Sequence, residues 1–554
     1  MGCAVKDDQR GVALIMTVAV IAIVITLTST AVGVVVTNVV DSRRANARTA
    51  ARAAAEAAAD DVFARVVRDP GYLQHAYLNH PGYRPNWATF SNGAPGRCRD
   101  PYRQVCFQIA VTAAAQPGNP YASAATVEVV AATLCPRGTD HLSECITDGV
   151  RQRLSQRQYF DYLYLDQLET LDPVLYPSAA ARDQAARACP VVAASRPSSC
   201  VPVPFLGGLG SGSGDEVDGP IHTNDASFST CLSPTFRPGV DRAGWPSAKT
   251  VSDDPTTLES TGGSVFSRAA GSACAGSAPR ETPPGRVVEV ANAPTYSFAV
   301  DVTDLAGIAS PVDTYQGTST ITLNGGTTPG VGGYAAEAGP QQASSHSASR
   351  WPGRGVIFVA GDAYVSGVAC DPVSIVATGD IFVDGDLTYG PAVSCPMAAI
   401  GLEADNSVVV LPTAGPSGPL VNASSDRTIE AAVLALGKNS CFSASAGGSP
   451  PPPGVTCAVT GGGVVRGGSF YVQGWDTAVV PSGATPHALH FLGAIATVWR
   501  GAIGAFDPTS GRLVSGWAKD FAFDRQLRTT QPPYFLAPVG AGWARSDLDE
   551  VGTP

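Results

Sequence analysis

Val356-Ile357-Phe358-Val359-Ala360-Gly361-Asp362 is echoed 18 residues on by Ser374-Ile375-Val376-Ala377-Thr378-Gly379-Asp380. A second short apolar run follows each: Ala363-Tyr364-Val365 after the first, Ile381-Phe382-Val383 after the second. Further runs of the same kind stand at Ser407–Leu411, Ala431–Leu436, Gly468–Gln473 and Ala488–Val498. Short strands broken by Gly-Asp turns at about 18–25-residue spacing suggest rungs of a β-solenoid, in which each rung buries its apolar side chains on its neighbours. A β-sandwich would give similar strands but explains the 18-residue echo less well.

The composition around these runs agrees with a β body. The 554 residues include 60 Gly and 44 Pro, with only 15 % charged. Charged residues usually make up about a quarter, so much of this surface is Ser, Thr, Gly and Ala. An apolar share of 44 % is enough to bury a core and excludes wholesale disorder. At this length two or more domains are expected. The net charge of −11 argues against a nucleic-acid partner, which needs a basic face.

Towards the N-terminus, Val105–Thr112 and Thr126–Thr133 read as strands among turns rich in Pro, Gly and Tyr. We expect a small α+β head over residues 70–200. The aromatic–polar alternation Tyr159-Phe160-Asp161-Tyr162-Leu163-Tyr164 predicts a half-buried strand there. Gly207–Gly214 reads as a hinge ahead of Gly219-Pro220-Ile221-His222, within a Gly-rich β-solenoid-like domain at 201–545 that a tail at 546–554 follows. Residues 237–290 and 325–352 read as surface loops poor in core residues.

Val12 to Val40 is 29 residues without one charge. As a helix it would be roughly 43 Å long, more than the ~30 Å hydrocarbon core of a bilayer. It is longer than the roughly 7–15-residue apolar region of a cleaved secretory signal. The Ala-rich stretch Ser42–Arg68 continues the helix, since Ala is the best helix former, and Pro70-Gly71 ends it. This divides the N-terminus into a leader at 1–11, a transmembrane segment at 12–40 and an extension of the same helix at 41–69.

Thirteen Cys are present, and Cys3 lies in the leader. The other twelve fall in close pairs: Cys98/Cys106, Cys135/Cys145, Cys189/Cys200, Cys231/Cys274, Cys370/Cys395 and Cys441/Cys457. An even count without any CxxC predicts local disulfides and an oxidising compartment. The arginines Arg43, Arg44, Arg48 and Arg52 after the apolar run point the other way, towards a cytoplasmic body. The cysteines decide in favour of an extracytoplasmic body on a single membrane helix.

A short charged leader ending in Gly11, followed at once by Val12-Ala13-Leu14-Ile15-Met16, resembles a type IV prepilin. The resemblance implies cleavage by a prepilin peptidase between Gly11 and Val12. Major pilins mostly carry Glu at the fifth mature position, where this chain has Met16. The start Arg10-Gly11-Val12-Ala13-Leu14-Ile15 and the block Ala53-Ala54-Ala55-Glu56-Ala57 are closer to PilX-type minor pilins and pilus assembly proteins. Gly219-Pro220-Ile221-His222, Trp499-Arg500-Gly501-Ala502-Ile503-Gly504, Gly516-Trp517-Ala518-Lys519 and Pro532-Pro533-Tyr534-Phe535 resemble an uncharacterised extracellular domain found behind such N-termini. The family implies a structural or assembly component of a pilus-like surface fibre. Its partners would be the membrane, other pilin-like subunits and the peptidase, with a surface ligand possible for an adhesive body. A pilus-independent membrane-anchored adhesin is the alternative, and a surface polysaccharide-acting enzyme a distant third.

No residues stand out as catalytic, cofactor-binding or metal-binding. Asp362, Asp380, Asp384 and Asp386 sit on the repeated turns, where Asp is favoured for its local hydrogen bonds. Acid/base carboxylates or a Ca²⁺ site are the competing readings. His487 and His490 at i, i+3 would point to opposite faces of a strand. His222 beside Asn224 and Asp225 reads as a hydrogen-bonded turn. Gly330-Val331-Gly332-Gly333-Tyr334-Ala335 matches a nucleotide-binding fingerprint only loosely, with no helix or acidic residue where one is needed.

Overall fold

The computed structural model describes residues 9–68, 88–89, 106–114, 124–133, 146–190, 197–201, 203, 215–230, 235–236, 256–262, 266–268, 280–281, 287–326, 332–338, 345–348, 351–391, 393–412, 426–437, 467–477, 480, 487–507, 512–528, 530–538, 543–545 and 549–550. The chain is mainly β with one long N-terminal helix. It forms two compact units, Met1–Gln156 with Gly542–Pro554, and Arg157–Ala541. The second unit is therefore inserted in the chain of the first.

In the first unit the helix Gln9–Arg68 runs without a break. Side chains from Leu14 to Val40 are exposed, uncharged and largely apolar. The hydroxyls within this stretch turn back onto the helix: Thr26, Thr30 and Thr37 donate to the carbonyls of Ala22, Thr26 and Gly33, each at 2.7 Å. No hydroxyl among these three is left to demand water. Further along, Ala51, Ala55, Ala58, Val62 and Val66 recur at helical spacing and are buried. They pack with Val127, Val129 and Ala131, with Val150 and Leu154, and with Trp543. Those partners lie on an antiparallel sheet. Cys106–Ala114 pairs with Ala124–Thr133, which pairs with Ile146–Gln156. The free side of Ile146–Gln156 takes Trp543–Arg545 and Asp549–Glu550 from the chain's end.

The second unit is dominated by a large sheet whose pairings are mostly parallel. One ladder runs through Val287–Val290, Thr256–Ser260, Ile221–Thr223, Tyr164–Leu171, the second half of Ala488–Arg500, Arg427–Ala435, Ile400–Ala404, Val373–Ala377, Val356–Ala360 and Thr314–Gln316. A second runs through Ser319–Gly325, Ala363–Ala369, Ile381–Tyr389, Val408–Val410 and Phe470–Val472. A third joins the first half of Ala488–Arg500 to Ala518–Phe523, Glu216–Asp218, Thr235–Phe236 and Arg280–Glu281. Echoed residues are register partners, Val356 opposite Ser374 and Ala363 opposite Ile381.

In-register stacking builds the core. Ile357, Ile375, Leu402, Val433, Ile495, Tyr164, Ile221 and Leu258 form one continuous buried column. Each buried aliphatic of this size stabilises by about 1.5–3 kcal/mol before entropy is counted. Phe470, Phe491 and Phe521 meet at centroid distances of 5.4–6.4 Å where the ladders face one another. Gly493 marks the point at which Ala488–Arg500 passes from the third ladder to the first. A Cβ there would lie 1.8 Å from the Ala431 carbonyl oxygen, so the close approach requires glycine.

Several expectations need correction. The compact units divide at Gln156/Arg157, not at 200/201. The reason is Tyr164–Leu171, which pairs with the late strand Ala488–Arg500 as well as with Ile221–Thr223 and is buried on both sides, not half-buried. The expected strand within Tyr159–Tyr164 is a 3-10 turn, Tyr159–Asp161, leading into it. Parts of the expected surface loops are strands that supply core: Thr256–Ser260 buries Leu258, and Gly332–Ala338 buries Tyr334. Ser- and Thr-rich segments join a ladder when adjacent strands supply the apolar contact. The hinge expected at Gly207–Gly214 lies outside the described residues.

Candidate functional site

Gly11 and Val12 both lie in the helix Gln9–Arg68, ahead of the exposed apolar stretch. Two expected disulfides are formed. Cys189–Cys200 follows the helix Ala179–Ala188, with Cα atoms 5.5 Å apart. Cys370–Cys395 closes the loop after Ala363–Ala369, with Cα atoms 4.9 Å apart. Cys106 begins the strand Cys106–Ala114. Cys98, Cys135, Cys145, Cys231, Cys274, Cys441 and Cys457 lie outside the described residues.

The Gly-Asp turns stack into a polar column. Asp362 Oδ1 accepts from the Asp380 amide at 2.9 Å, and Asp380 Oδ1 accepts from the Ser407 amide at 3.0 Å. Ser407 Oγ accepts from the Ser469 amide at 3.3 Å. Ser469 Oγ and the Gly468 amide then donate to Asp172 Oδ2 at 2.6 and 2.9 Å. Asp362 and Asp380 thus satisfy backbone N–H groups 18 and 27 residues on, across the ladder, and not the local ones expected of Asp in a turn. Asp172 is buried, and burial pushes its carboxyl up to about 6 against the pull of these donors. Asp384 and Asp386 do not belong to this column. They are exposed within the strand Ile381–Tyr389, opposite a register shift, and Asp386 Oδ1 accepts from the Thr428 amide at 3.0 Å. Among the described residues no group of three or more His, Cys, Asp or Glu is arranged to hold a metal ion.

Two polar clusters were not visible as clusters in the sequence. In the first, buried His222 sits on the strand Ile221–Thr223, not in a turn. Its Nδ1 is 3.1 Å from Glu259 Oε2 and its Nε2 is 3.1 Å from Asn224 Oδ1. Asn224 is itself fixed by two bonds to the backbone of Tyr296, at 2.6 and 2.8 Å. Glu259 also accepts from the Tyr162 hydroxyl at 2.7 Å, and Arg157 donates to the Tyr296 hydroxyl at 2.6 Å. Burial would raise the Glu259 carboxyl, but the bonds from His222 and Tyr162 and the neighbouring charges outweigh it and hold the group below its usual range. Both ring nitrogens of His222 are thus engaged by side chains.

In the second cluster, fully buried Arg500 faces Asp166 at 2.5 Å and also hydrogen-bonds Glu169, with its guanidinium 4.2 Å over the Tyr164 ring. Burial pushes both carboxyls up, and the guanidinium opposes that shift. Burial would lower Arg500, but the two carboxylates more than compensate and hold its pKa above the usual value. The participants come from strands far apart in sequence. No spacing signal could have joined them, although an Arg following a Trp in an apolar run was a hint of a buried charge.

His487 and His490 do not diverge as the odd offset predicts. His487 precedes the strand, so both approach one carboxylate: His487 Nδ1 is 3.3 Å from Asp426 Oδ1, and His490 Nε2 is 3.7 Å from Asp426 Oδ2. His490 Nδ1 is also 2.7 Å from Asp520 Oδ2. No known protein family, curated protein or solved structure matches this chain.

Proposed function

We propose that the protein is a minor pilin-like structural or assembly component of a surface fibre, carrying a solenoid-like body outside the membrane. The observation that carries this reading is the helix Gln9–Arg68. Its first part is exposed, uncharged, largely apolar and long enough to cross a bilayer, while its second part packs one face on an antiparallel sheet. Such a helix can leave the bilayer and pack against others of its kind without changing its head. The two disulfides fit an oxidising, extracytoplasmic setting for the body. Parallel ladders whose register repeats the 18-residue echo support the solenoid-like reading. The body acts by assembly or surface contact, not by catalysis. PilX-type processing between Gly11 and Val12 is part of the same proposal. Gly11→Val should keep the leader on, hold the protein in the membrane fraction and abolish its recovery among sheared surface fibres. Undiminished recovery of Gly11→Val with fibres would overturn the proposal. Recovery of wild-type protein in the membrane alone would favour a pilus-independent anchored adhesin.

A further inference from the structure

Lys519 is one of only four lysines in the chain, and it lies inside the body. It stands in the strand Ala518–Phe523, where it shares the buried side with Phe521 and Phe523. Asp215 immediately precedes the strand Glu216–Asp218, whose Glu216 is the register partner of Asp520. Continuing that register places Lys519 and Asp215 side by side. Lys519 Nζ is 3.3 Å from Asp215 Oδ2, and the Lys519 backbone N–H donates to Asp215 Oδ1 at 2.8 Å. Asp215 is 1 % exposed and Lys519 8 %. The two residues are 304 positions apart.

The arrangement differs from a surface ion pair in what it permits. In water, hydration keeps an ammonium and a carboxylate ionised and unreactive towards one another. In a dry interior the charged forms are penalised, and passing one proton across the pair removes both charges. Burial accordingly pushes the Lys519 ammonium below its usual value, with Asp215 opposing. The amine is then next to a carboxyl group whose far oxygen is already held by a backbone N–H. That donor is placed where negative charge would develop on attack.

We propose that Lys519 and Asp215 condense spontaneously into an amide cross-link between Lys519 Nζ and Asp215 Cγ. The ammonium first gives a proton to Oδ2. The nitrogen lone pair attacks Cγ, forming the C–N bond, and charge moves onto Oδ1 opposite the Lys519 N–H. The nitrogen releases a second proton to Oδ2, the Cγ–Oδ2 bond breaks, and water leaves. One ammonium and one carboxylate become one amide and one water, with no oxidant, reductant or co-reactant. The bond fastens Ala518–Phe523 to Glu216–Asp218, a join that backbone connectivity does not make.

Intact mass spectrometry of the purified, reduced protein tests this. The expected mass is lighter by one water than the processed sequence requires, and a proteolytic digest should contain a branched peptide joining Asp215 to Lys519. Lys519→Arg and Asp215→Ala should each restore the full mass for their sequence. Asp215→Asn should still form the same amide, losing ammonia, and so finish at the wild-type mass. A wild-type protein of full mass, with Lys519 in a linear peptide, would overturn the proposal. So would a missing water that persists in Lys519→Arg.

Discussion

Two polar systems hold the second unit together, and they work in opposite ways. The column Asp362–Asp380–Ser407–Ser469–Asp172 spreads its polarity over many turns, and every carboxylate in it meets backbone N–H or hydroxyl donors. The Arg500 centre concentrates charge, with one guanidinium buried against Asp166, Glu169 and the Tyr164 ring. Loss of one column member removes between one and three hydrogen bonds, the most at Asp172. Loss of Arg500 leaves two acids in a dry site without their cation. From Asp362 to Ser469 the column joins successive strands of the second ladder, and only its last bonds, from Gly468 and Ser469 to Asp172, reach back to the early chain. The Arg500 centre lies wholly where Ala488–Arg500 meets Tyr164–Leu171, the seam between late and early parts of the chain.

The comparison predicts a graded response. Arg500→Met should be the most damaging, costing about 3–5 kcal/mol as an uncompensated buried charge. Urea unfolding should show the deficit growing as pH rises, because Asp166 and Glu169 must then ionise alone. A loss under about 1 kcal/mol would mean that the seam does not depend on this centre.

Glu403 separates burial from compensation. Its Oε2 accepts from the Leu536 amide at 2.9 Å, while Oε1 has no partner among the described residues. Burial pushes its carboxyl up to about 8, with only that one backbone bond opposing. The folded state thus binds the proton more tightly than the unfolded state. Stability from this group is fully present below the unfolded value near 4.5 and is lost as pH rises to about 8. Glu403→Gln keeps an oxygen for the Leu536 amide and removes the charge. It should raise the unfolding free energy above pH 8 by a few kcal/mol and flatten the pH profile between those values. A melting curve unchanged from wild type at alkaline pH would show that Glu403 is solvated there. Asp172 should contribute a smaller slope of the same sign, between its unfolded value near 3.8 and about 6.

The smallest effect belongs to the exposed carboxylates. Asp384→Asn with Asp386→Asn should shift stability by no more than about 0.5 kcal/mol, because both are exposed and outside the column. Adding Asp380→Asn should cost more, since Asp380 holds the Ser407 amide. A chelator-sensitive melting temperature abolished by this triple change would instead establish a calcium site.

How much of this was legible in sequence follows from which neighbours are consecutive. Val356–Ala360 and Val373–Ala377 pair across one turn of chain, so their echo carried both strand and register. The helix Gln9–Arg68 was equally clear, because its apolar and Ala-rich runs are local properties. Tyr164–Leu171 was misplaced because its partners are Ile221–Thr223 and Ala488–Arg500, and no repeat connects three such segments. The same non-sequential order hid the Arg500 centre, the His222–Glu259 contact and the Lys519–Asp215 pair. His222, Arg500 and Lys519 stand in recognisable motifs, but their partners Glu259, Asp166, Glu169 and Asp215 do not, and only long-range pairing makes them neighbours.

The central claim is that a processed helix anchors an extracytoplasmic β body, and the mature N-terminus tests it most directly. Mass spectrometry of the protein isolated from its native membranes or surface fibres should find Val12 as the first residue. An N-terminus at Met1, or one near Val32, would contradict the account.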